Sequence, residues 1–102
     1  MFNKITIIGC GLIGSSLLRA INRKKLSTKI NAFDKSKEVG SFIKNNLSVN
    51  VCNDINDSVK DSDLVIISAP LSSYKEILLS IKSKLKKNVI LTDTGSAKKE
   101  IN

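Results

Sequence analysis

The sequence is poor in several side chains on which common functions depend. Its 102 residues include no His, no Trp, one Tyr, three Phe and two Cys. Without His, the usual general base at neutral pH is absent. Two cysteines are too few for the disulfide framework of a small secreted domain. Because nucleic-acid-binding surfaces stack bases on aromatic rings, so few aromatic residues predict no nucleic-acid partner. No metal site is predicted.

Long apolar segments are also missing. Gly and Ser interrupt the apolar runs well short of the roughly 20 residues that a membrane-spanning helix requires. Ile7–Cys10 superficially resembles a lipoprotein cleavage box, but only four residues separate Lys4 from Gly9. A secretory signal needs an apolar stretch of about 7–15 residues before its cleavage site. The sequence therefore predicts a reduced, cytoplasmic protein without a membrane segment.

What remains is the composition of one small globular domain. Hydrophobic residues make up 41% of the chain and charged residues 25%. Seventeen Lys and Arg against nine Asp and Glu give a net charge of +8. This excess of positive charge favours anionic partners but does not identify them.

Short apolar runs alternate with segments of helical periodicity. The runs, rich in Ile and Val, predict five strands at Ile5–Ile8, Ile30–Phe33, Val49–Cys52, Leu64–Ile67 and Val89–Leu91. The segments between them predict helices at Ile13–Ile21, Lys37–Asn46 and Tyr74–Leu85, with a short turn at Ile55–Lys60. Ser73 and Glu76 are spaced as a capping box for the last helix. This order predicts an α/β fold: a doubly wound parallel sheet of about five strands in the order 3-2-1-4-5.

A glycine-rich segment follows the first predicted strand and opens the first predicted helix: Gly9-Cys10-Gly11-Leu12-Ile13-Gly14. In the dinucleotide-binding G-x-G-x-x-G motif, the first glycine allows a tight turn and the second lets the backbone approach a pyrophosphate. The third lets the helix pack closely, and unpaired N–H groups at the helix start face the phosphate charge. The alternative is three turn glycines in an ordinary β-α connection.

An acidic residue stands at the end of the second predicted strand. Asp34 lies twenty residues after Gly14, where a carboxylate accepts hydrogen bonds from the adenosine ribose of NAD. The same carboxylate repels a phosphate on that ribose, so NAD is favoured over NADP, and Lys35 and Ser36 soften that preference. An alternative role for Asp34 is the N-cap of the second helix, and the two roles are compatible.

Small or polar clusters follow four of the predicted strands. Ligands in open α/β sheets bind beyond the carboxyl ends of the strands, so these clusters are predicted to converge on one rim. Residues 1–102 are thus predicted to form a Rossmann-type, three-layer α/β/α domain that binds NAD. The predicted cofactor contacts are Gly9, Cys10, Gly11, Leu12, Ile13, Gly14, Asp34, Lys35, Ser68, Ala69 and Pro70.

Three stretches resemble the prephenate/arogenate dehydrogenase family: Ile5–Leu17, Asp63–Pro70 and Leu91–Lys98. The first is shared by many dinucleotide-binding enzymes, whereas the Asp-x-Gly-Ser-x-Lys pattern of the third is more specific. The resemblance implies oxidative decarboxylation of prephenate or arogenate, with hydride transfer to NAD, in tyrosine biosynthesis.

The resemblance also places Ser96 on the nicotinamide side, where it hydrogen-bonds the substrate hydroxyl. The alternative role of Ser96 is the N-cap of a helix that begins at Ala97. Family members carry a catalytic His shortly after this point, and a helical domain that binds substrate and forms a homodimer. This sequence stops at Asn102 without any His. We therefore expect a dinucleotide-binding domain that is incomplete at its C-terminal end, binds NAD weakly and does not turn over alone.

Two other functions stay open. A non-catalytic NAD-sensing regulatory module also uses G-x-G-x-x-G and a second-strand acid, but it does not need the segment Asp93–Ser96. Another NAD(P)-dependent enzyme of the same superclass, such as a β-hydroxyacid dehydrogenase or an imine reductase, would share the fold. The segment Asp93–Ser96, after the fifth predicted strand, argues against this second alternative.

Overall fold

The computed structural model describes residues 2–9, 12–25, 27–47 and 49–93. Strands and helices alternate throughout these residues. In chain order they are β1 Phe2–Ile8, α1 Leu12–Lys24, β2 Ser27–Phe33, α2 Lys37–Asn46, β3 Asn50–Val51, α3 Ile55–Val59, β4 Leu64–Ile67, α4 Leu71–Ile81 and β5 Ile90–Asp93. A single 3₁₀ turn, Lys82–Lys84, extends α4.

The five strands form one parallel sheet in the order β3-β2-β1-β4-β5. At its centre, Ile7 pairs with Ala32 on one side and with Ile66 on the other. Both the predicted fold class and the predicted strand order are confirmed. Because all strands run the same way, their carboxyl ends meet at one edge of the sheet. We call this edge the carboxyl rim, formed by the residues directly after each strand.

An apolar core lies on each face of the sheet, because neighbouring strand residues point to opposite faces. Ile5 and Ile7 of β1 face α1 and α2, where they pack with Leu18, Ile21, Ile30, Ala32, Ile43 and Ile66. Ile8 faces α3 and α4, where it packs with Val59, Val65, Ile67 and Ile81. The three-layer arrangement thus follows from the alternation along β1 and β4.

A buried polar cluster interrupts the second face beneath α3. The Thr6 hydroxyl donates to the Ser58 carbonyl oxygen at 2.6 Å and lies 2.7 Å from the Ser62 hydroxyl. The Asn31 amide donates to the same carbonyl oxygen at 3.2 Å. Thr6, Ser58 and Ser62 are fully buried. These hydrogen bonds satisfy polar groups that would otherwise be costly to bury, and they attach α3 to β1 and β2.

The helix starts differ in part from the predictions. The predicted bounds of α2, Lys37–Asn46, are confirmed. The predicted capping box of the last helix is wrong, because α4 begins at Leu71 and both Ser73 and Glu76 lie inside it. Pro70 occupies the N-cap position without a side-chain cap. Pro70 has an extended ψ of 149°, and proline disfavours the helical conformation in the residue before it, so the helix starts directly after Pro70.

Candidate functional site

The turn after β1 depends on a glycine. Gly9 has a φ of +84°, a backbone conformation that L side chains rarely adopt. Its N–H donates to the Phe33 carbonyl oxygen at 2.8 Å, which fixes the turn to the end of β2. A Cβ on Gly9 would lie 3.0 Å from the carbonyl carbon and oxygen of Ser68 and 3.1 Å from the Ala69 nitrogen. Only glycine lets these two backbones lie so close.

The second close approach involves the first helix. Gly14 is buried in the first turn of α1. A Cβ there would overlap the Gly9 carbonyl oxygen and would lie 3.5 Å from the Ser68 Cβ. The sequence predicts that this glycine lets the helix pack closely. In the structure, the closest atom to that Cβ belongs to the turn itself, so Gly14 sets the distance between α1 and the glycine-rich turn.

Three segments that are distant in the chain therefore meet at the carboxyl rim. They are the turn at Gly9, the end of β2 at Phe33, and the residues Ser68 and Ala69 after β4. The Ser68 N–H donates to the Ile8 carbonyl oxygen at 2.7 Å, which holds Ser68 and Ala69 beside Gly9. The start of α1 faces the same place, and its first turn contains no acidic residue. The N-terminus of a helix attracts anions through its unpaired N–H groups and its dipole. The arrangement can therefore accept an anionic group at the start of α1.

Asp34 lies directly after β2, as predicted. Its Oδ1 accepts a hydrogen bond from the Ser36 N–H at 2.8 Å, which closes a tight turn of the Asx type. Ser36 is the N-cap of α2, with its hydroxyl oxygen accepting from the Val39 N–H at 3.4 Å. The alternative role of Asp34 as the N-cap is therefore wrong, because Ser36 already occupies that position.

An open groove of about 800 Å³ continues from Asp34 towards β3. It is lined by the end of β2 and the residues after it, by residues of α2, and by the end of β3 and the residues after it. We call it the β2–β3 groove. Its lining residues are Phe33, Asp34, Lys35, Ser36, Lys37, Gly40, Ser41, Lys44, Val51, Cys52 and Asn53.

Sequence reasoning singled out Asp34, Lys35 and Ser36 from this set but missed Lys37 and Lys44. Both are exposed and both line the groove. They are seven residues apart on α2, a spacing that places two residues on the same side of a helix. That spacing is the signal that could have found them, once α2 was known to border the site.

The cysteine in the groove is not activated. Partial burial raises the pKa of the Cys52 thiol, and the nearby positive charge of Lys4 only opposes that shift. The Asn50 amide donates to the Cys52 sulfur at 3.7 Å. The thiol is therefore protonated at neutral pH, and Cys52 contributes a neutral surface to the groove.

Some predicted site residues lie outside the described residues, namely Cys10, Gly11 and Ser96. Leu12 and Ile13 are described only as the first two residues of α1. Pro70 is exposed at the start of α4. In the described parts of the chain, no helix is long and apolar enough to span a membrane, and no three metal-ligating side chains cluster together.

Residues 4–96 match a protein family described as NADP oxidoreductase, coenzyme F420-dependent. The chain belongs to this family. The match supports a nucleotide-binding oxidoreductase domain with the fold described above.

Two curated relatives agree with the predicted resemblance. The chain is 39% identical over 99 residues to a cyclohexadienyl dehydrogenase from Zymomonas mobilis, covering 96% of the chain and 34% of the relative. It is 32% identical over 99 residues to a prephenate dehydrogenase from Lactococcus lactis, covering 96% of the chain and 28% of the relative. The chain thus spans about a third of the length of these curated relatives.

A solved structure shares the fold. Prephenate dehydrogenase from A. aeolicus, in complex with hydroxyphenyl propionate and NAD+, superposes with a TM-score of 0.80 at 22% identity. The match covers 91% of this chain and 33% of that one. The predicted resemblance to prephenate and arogenate dehydrogenases is confirmed.

Proposed function

We propose that this chain binds the NAD of a prephenate or arogenate dehydrogenase. The observation that carries the proposal is the close contact between Gly9, Gly14 and Ser68 beside the start of α1. A Cβ on either glycine would meet backbone atoms of the protein itself, and a tight turn and close helix packing are what the first and third glycines of a dinucleotide-binding motif provide.

The pyrophosphate is the group suited to the start of α1. Its negative charge interacts favourably with the positive end of the helix dipole, and backbone N–H groups at the helix start donate to its oxygens. No carboxylate in the first turn of α1 competes for those donors. Gly9, Cys10, Gly11, Leu12, Ile13 and Gly14 are the residues proposed for this contact.

Asp34 is the residue proposed for the adenosine ribose. A carboxylate offers about four acceptor positions, so Asp34 can accept the Ser36 N–H and ribose hydroxyls at once. The negative charge favours NAD over a coenzyme with a phosphate on that ribose. Ser68, Ala69 and Pro70 would line the neighbouring part of the coenzyme groove.

The proposed reaction is oxidative decarboxylation of prephenate or arogenate in tyrosine biosynthesis. The bound coenzyme supplies the hydride acceptor. Ser96 would hydrogen-bond the substrate hydroxyl. The remaining substrate contacts and the homodimer would come from outside these 102 residues. Since the sequence contains no His, no imidazole can accept the hydroxyl proton, and the 102 residues alone are expected to bind NAD without producing NADH from prephenate.

Titration of the isotope-labelled chain with NAD+ tests the proposal. The expected result is movement of the backbone amide resonances of Gly9, Ser68 and Ala69, with saturation at millimolar NAD+. If none of these resonances moves, the proposal is wrong. Steady NADH production from prephenate by the 102 residues would contradict the proposed absence of turnover.

A pair of matched variants assigns the ribose contact. Asp34 and Asp54 each accept a backbone N–H two residues further on, at 2.8 and 3.0 Å, so each alanine variant loses one such hydrogen bond, and Asp54→Ala also removes the N-cap of α3. Asp34→Ala is expected to weaken NAD+ binding about tenfold or more, because a hydrogen bond to a charged group is lost. Asp54→Ala keeps the affinity. Equal losses in the two variants would argue against the ribose assignment.

A further inference from the structure

The positive charge of this protein is concentrated at the end of the sheet opposite the carboxyl rim. Since all strands are parallel, each helix returns the chain to this end before the next strand begins. Ten of the seventeen Lys and Arg residues lie in the last two residues of a helix, in the connection that follows, or in the first three residues of a strand. These segments hold only two of the nine acidic residues, Asp61 and Asp63, and the other seven Lys and Arg balance the other seven Asp and Glu. We call the ten residues the basic end: Lys4, Arg23, Lys24, Lys25, Lys29, Lys60, Lys82, Lys84, Lys86 and Lys87.

The basic end is built from segments that contact one another. The Lys4 ammonium donates to the Lys60 carbonyl oxygen, and Lys4 pairs with Lys29 on the neighbouring strand. Paired strands lie about 4.8 Å apart, so these two lysines are neighbours. The Lys86 ammonium pairs with the Asp63 carboxylate, which also accepts the Lys4 N–H. Lysines that are distant in the chain therefore share one surface.

Interaction with helix dipoles does not account for this concentration of charge. A cation in the last turn of a helix interacts favourably with the dipole, which explains Lys24 at the end of α1. Lys4 and Lys29 are strand residues, however, and Lys86 follows the 3₁₀ turn after α4. Like charges repel one another and destabilise the compact state. An anionic partner at this end relieves that repulsion.

An exposed apolar side chain lies beside the basic end. Ile90, the first residue of β5, is 52% exposed. Its N–H donates to the Asp63 carbonyl oxygen at 2.9 Å, which holds it next to the Lys86–Asp63 ion pair. Protein interfaces combine an apolar centre with a polar rim, whereas a nucleic-acid backbone offers mainly phosphate charge and membrane binding requires a broad apolar face. One apolar residue among lysines therefore favours a protein partner.

We infer that the basic end is a docking surface for an acidic segment of another protein, with Ile90 as the apolar anchor. Carboxylates of the partner pair with the exposed lysines, and an apolar side chain between them covers Ile90. Salt screens ion pairs at a surface, so the affinity falls as ionic strength rises. The docking surface and the proposed coenzyme site lie at opposite ends of the sheet, so both can be occupied at once.

Charge-matched triple variants locate the surface. The probe is a fluorescein-labelled peptide in which glutamates flank two central leucines, and its binding is measured by fluorescence anisotropy. One variant replaces three exposed lysines of the basic end: Lys24→Gln, Lys60→Gln and Lys84→Gln. The control replaces three exposed lysines elsewhere: Lys37→Gln, Lys44→Gln and Lys75→Gln. We expect the first variant to bind the peptide about tenfold more weakly than wild type and the control to stay within about twofold. Equal losses in the two variants overturn the inference.

Substitution of the apolar anchor distinguishes a protein partner from other polyanions. Ile90→Thr keeps a β-branched side chain in the strand but removes apolar surface, and we expect it to weaken peptide binding about threefold or more. Phe42→Gln changes a residue of α2 that is 48% exposed, and it should keep the wild-type affinity. Unchanged binding by Ile90→Thr overturns the assignment to a protein. Tighter binding of a short DNA duplex or of phosphatidylserine vesicles than of the peptide, at the same salt concentration, overturns it as well.

Coenzyme titration separates this inference from the proposed function. The basic-end variant and Ile90→Thr should bind NAD+ like wild type, because none of their substitutions lies at the carboxyl rim. Loss of NAD+ affinity in either folded variant would show that its effect is not local and overturns the inference. Absence of NAD+ binding by wild type removes the proposed function and leaves the docking surface standing. Far-ultraviolet circular dichroism checks that each variant is folded.

Discussion

The two ends of the sheet are built on different physical principles. At the carboxyl rim, Gly9, Gly14 and Ser68 bring backbones together, and the contacts depend on the absence of side chains. At the opposite end, which we call the amino edge, a charged side chain makes the connections. The Asp63 carboxylate accepts hydrogen bonds from the Asn3 N–H at 2.7 Å and the Lys4 N–H at 3.2 Å, and it pairs with the Lys86 ammonium.

This difference indicates where coenzyme binding and where stability reside. At the amino edge the Asp63 carboxylate is satisfied, because it already has three donors across β1 and the segment before β5. At the carboxyl rim, the start of α1 has no acidic partner in its first turn, and the groove has excess positive charge. Changes at the rim are therefore expected to affect coenzyme binding, whereas changes at Asp63 affect unfolding.

The largest expected effect is at the rim. In Gly14→Ala, the new Cβ overlaps the Gly9 carbonyl oxygen, so helix α1 must move away from the turn. Overpacking of this kind costs about 1–3 kcal/mol of unfolding free energy, and the displaced helix weakens NAD+ binding. Chemical denaturation and calorimetric titration measure the two effects. A variant with wild-type stability would mean that α1 does not lie this close to the turn.

The next effect is at the amino edge. Asp63→Ala leaves the Asn3 and Lys4 N–H groups without their side-chain acceptor and removes the partner of Lys86. We expect a lower unfolding temperature, with NAD+ affinity retained because the carboxyl rim is untouched. Thermal unfolding followed by circular dichroism measures the unfolding temperature, and calorimetric titration measures the NAD+ affinity. Loss of NAD+ affinity in a folded variant would remove the distinction between the two ends.

Unfolding at low pH tests the same comparison between the two ends of the sheet. The hydrogen bond from Lys86, followed by those from backbone N–H groups, lowers the pKa of the Asp63 carboxyl. A lowered folded-state pKa contributes stability that is present above the ordinary aspartate value of about 3.9 and is lost as pH falls through the folded-state pKa. Asp63→Asn should therefore flatten the decline in unfolding temperature below about pH 4 relative to wild type. An unchanged decline would show that other groups cause it.

The smallest expected effect has the opposite sign and serves as a control for the rim. Gly40 is also a helical glycine, but a Cβ there would make only an ordinary contact with Val51 at 3.5 Å. Gly40→Ala should raise the unfolding free energy by about 0.5–1 kcal/mol, because glycine is a poor helix former. Chemical denaturation of Gly14→Ala and Gly40→Ala under the same conditions compares their unfolding free energies. Destabilisation by Gly40→Ala would mean that the groove wall cannot accept a methyl group.

Local sequence signals predicted much of the fold. The apolar run of β4 is bounded by Asp63 and Ser68, and its predicted bounds Leu64–Ile67 are confirmed. Helix α2 was predicted with equal accuracy, since its periodic apolar residues are flanked by polar ones. The capping box at Ser73 and Glu76 was wrong because a local spacing pattern competed with Pro70, after which α4 begins three residues earlier than predicted.

Local signals could not predict the buried polar cluster. Thr6 lies 52 residues from Ser58 and 56 residues from Ser62 in the chain, and nothing near Thr6 distinguishes it from an exposed strand residue. The candidate site likewise contains residues that local signals predict and residues that they do not. Gly9, Gly14 and Asp34 stand at predictable points, after a strand or at a helix start. Lys37 and Lys44 became groove residues only when α2 was placed beside β3.

The sequence by itself determined the order of strands and helices, and it placed small or acidic residues after the strands. These properties are local, because periodicity and chain-breaking residues act over a few positions. Only the tertiary structure decided that Ser68 lies against Gly9, that Lys86 pairs with Asp63, and that two lysines of α2 border one groove. Such contacts depend on the sheet order β3-β2-β1-β4-β5, which brings distant parts of the chain within reach of each other.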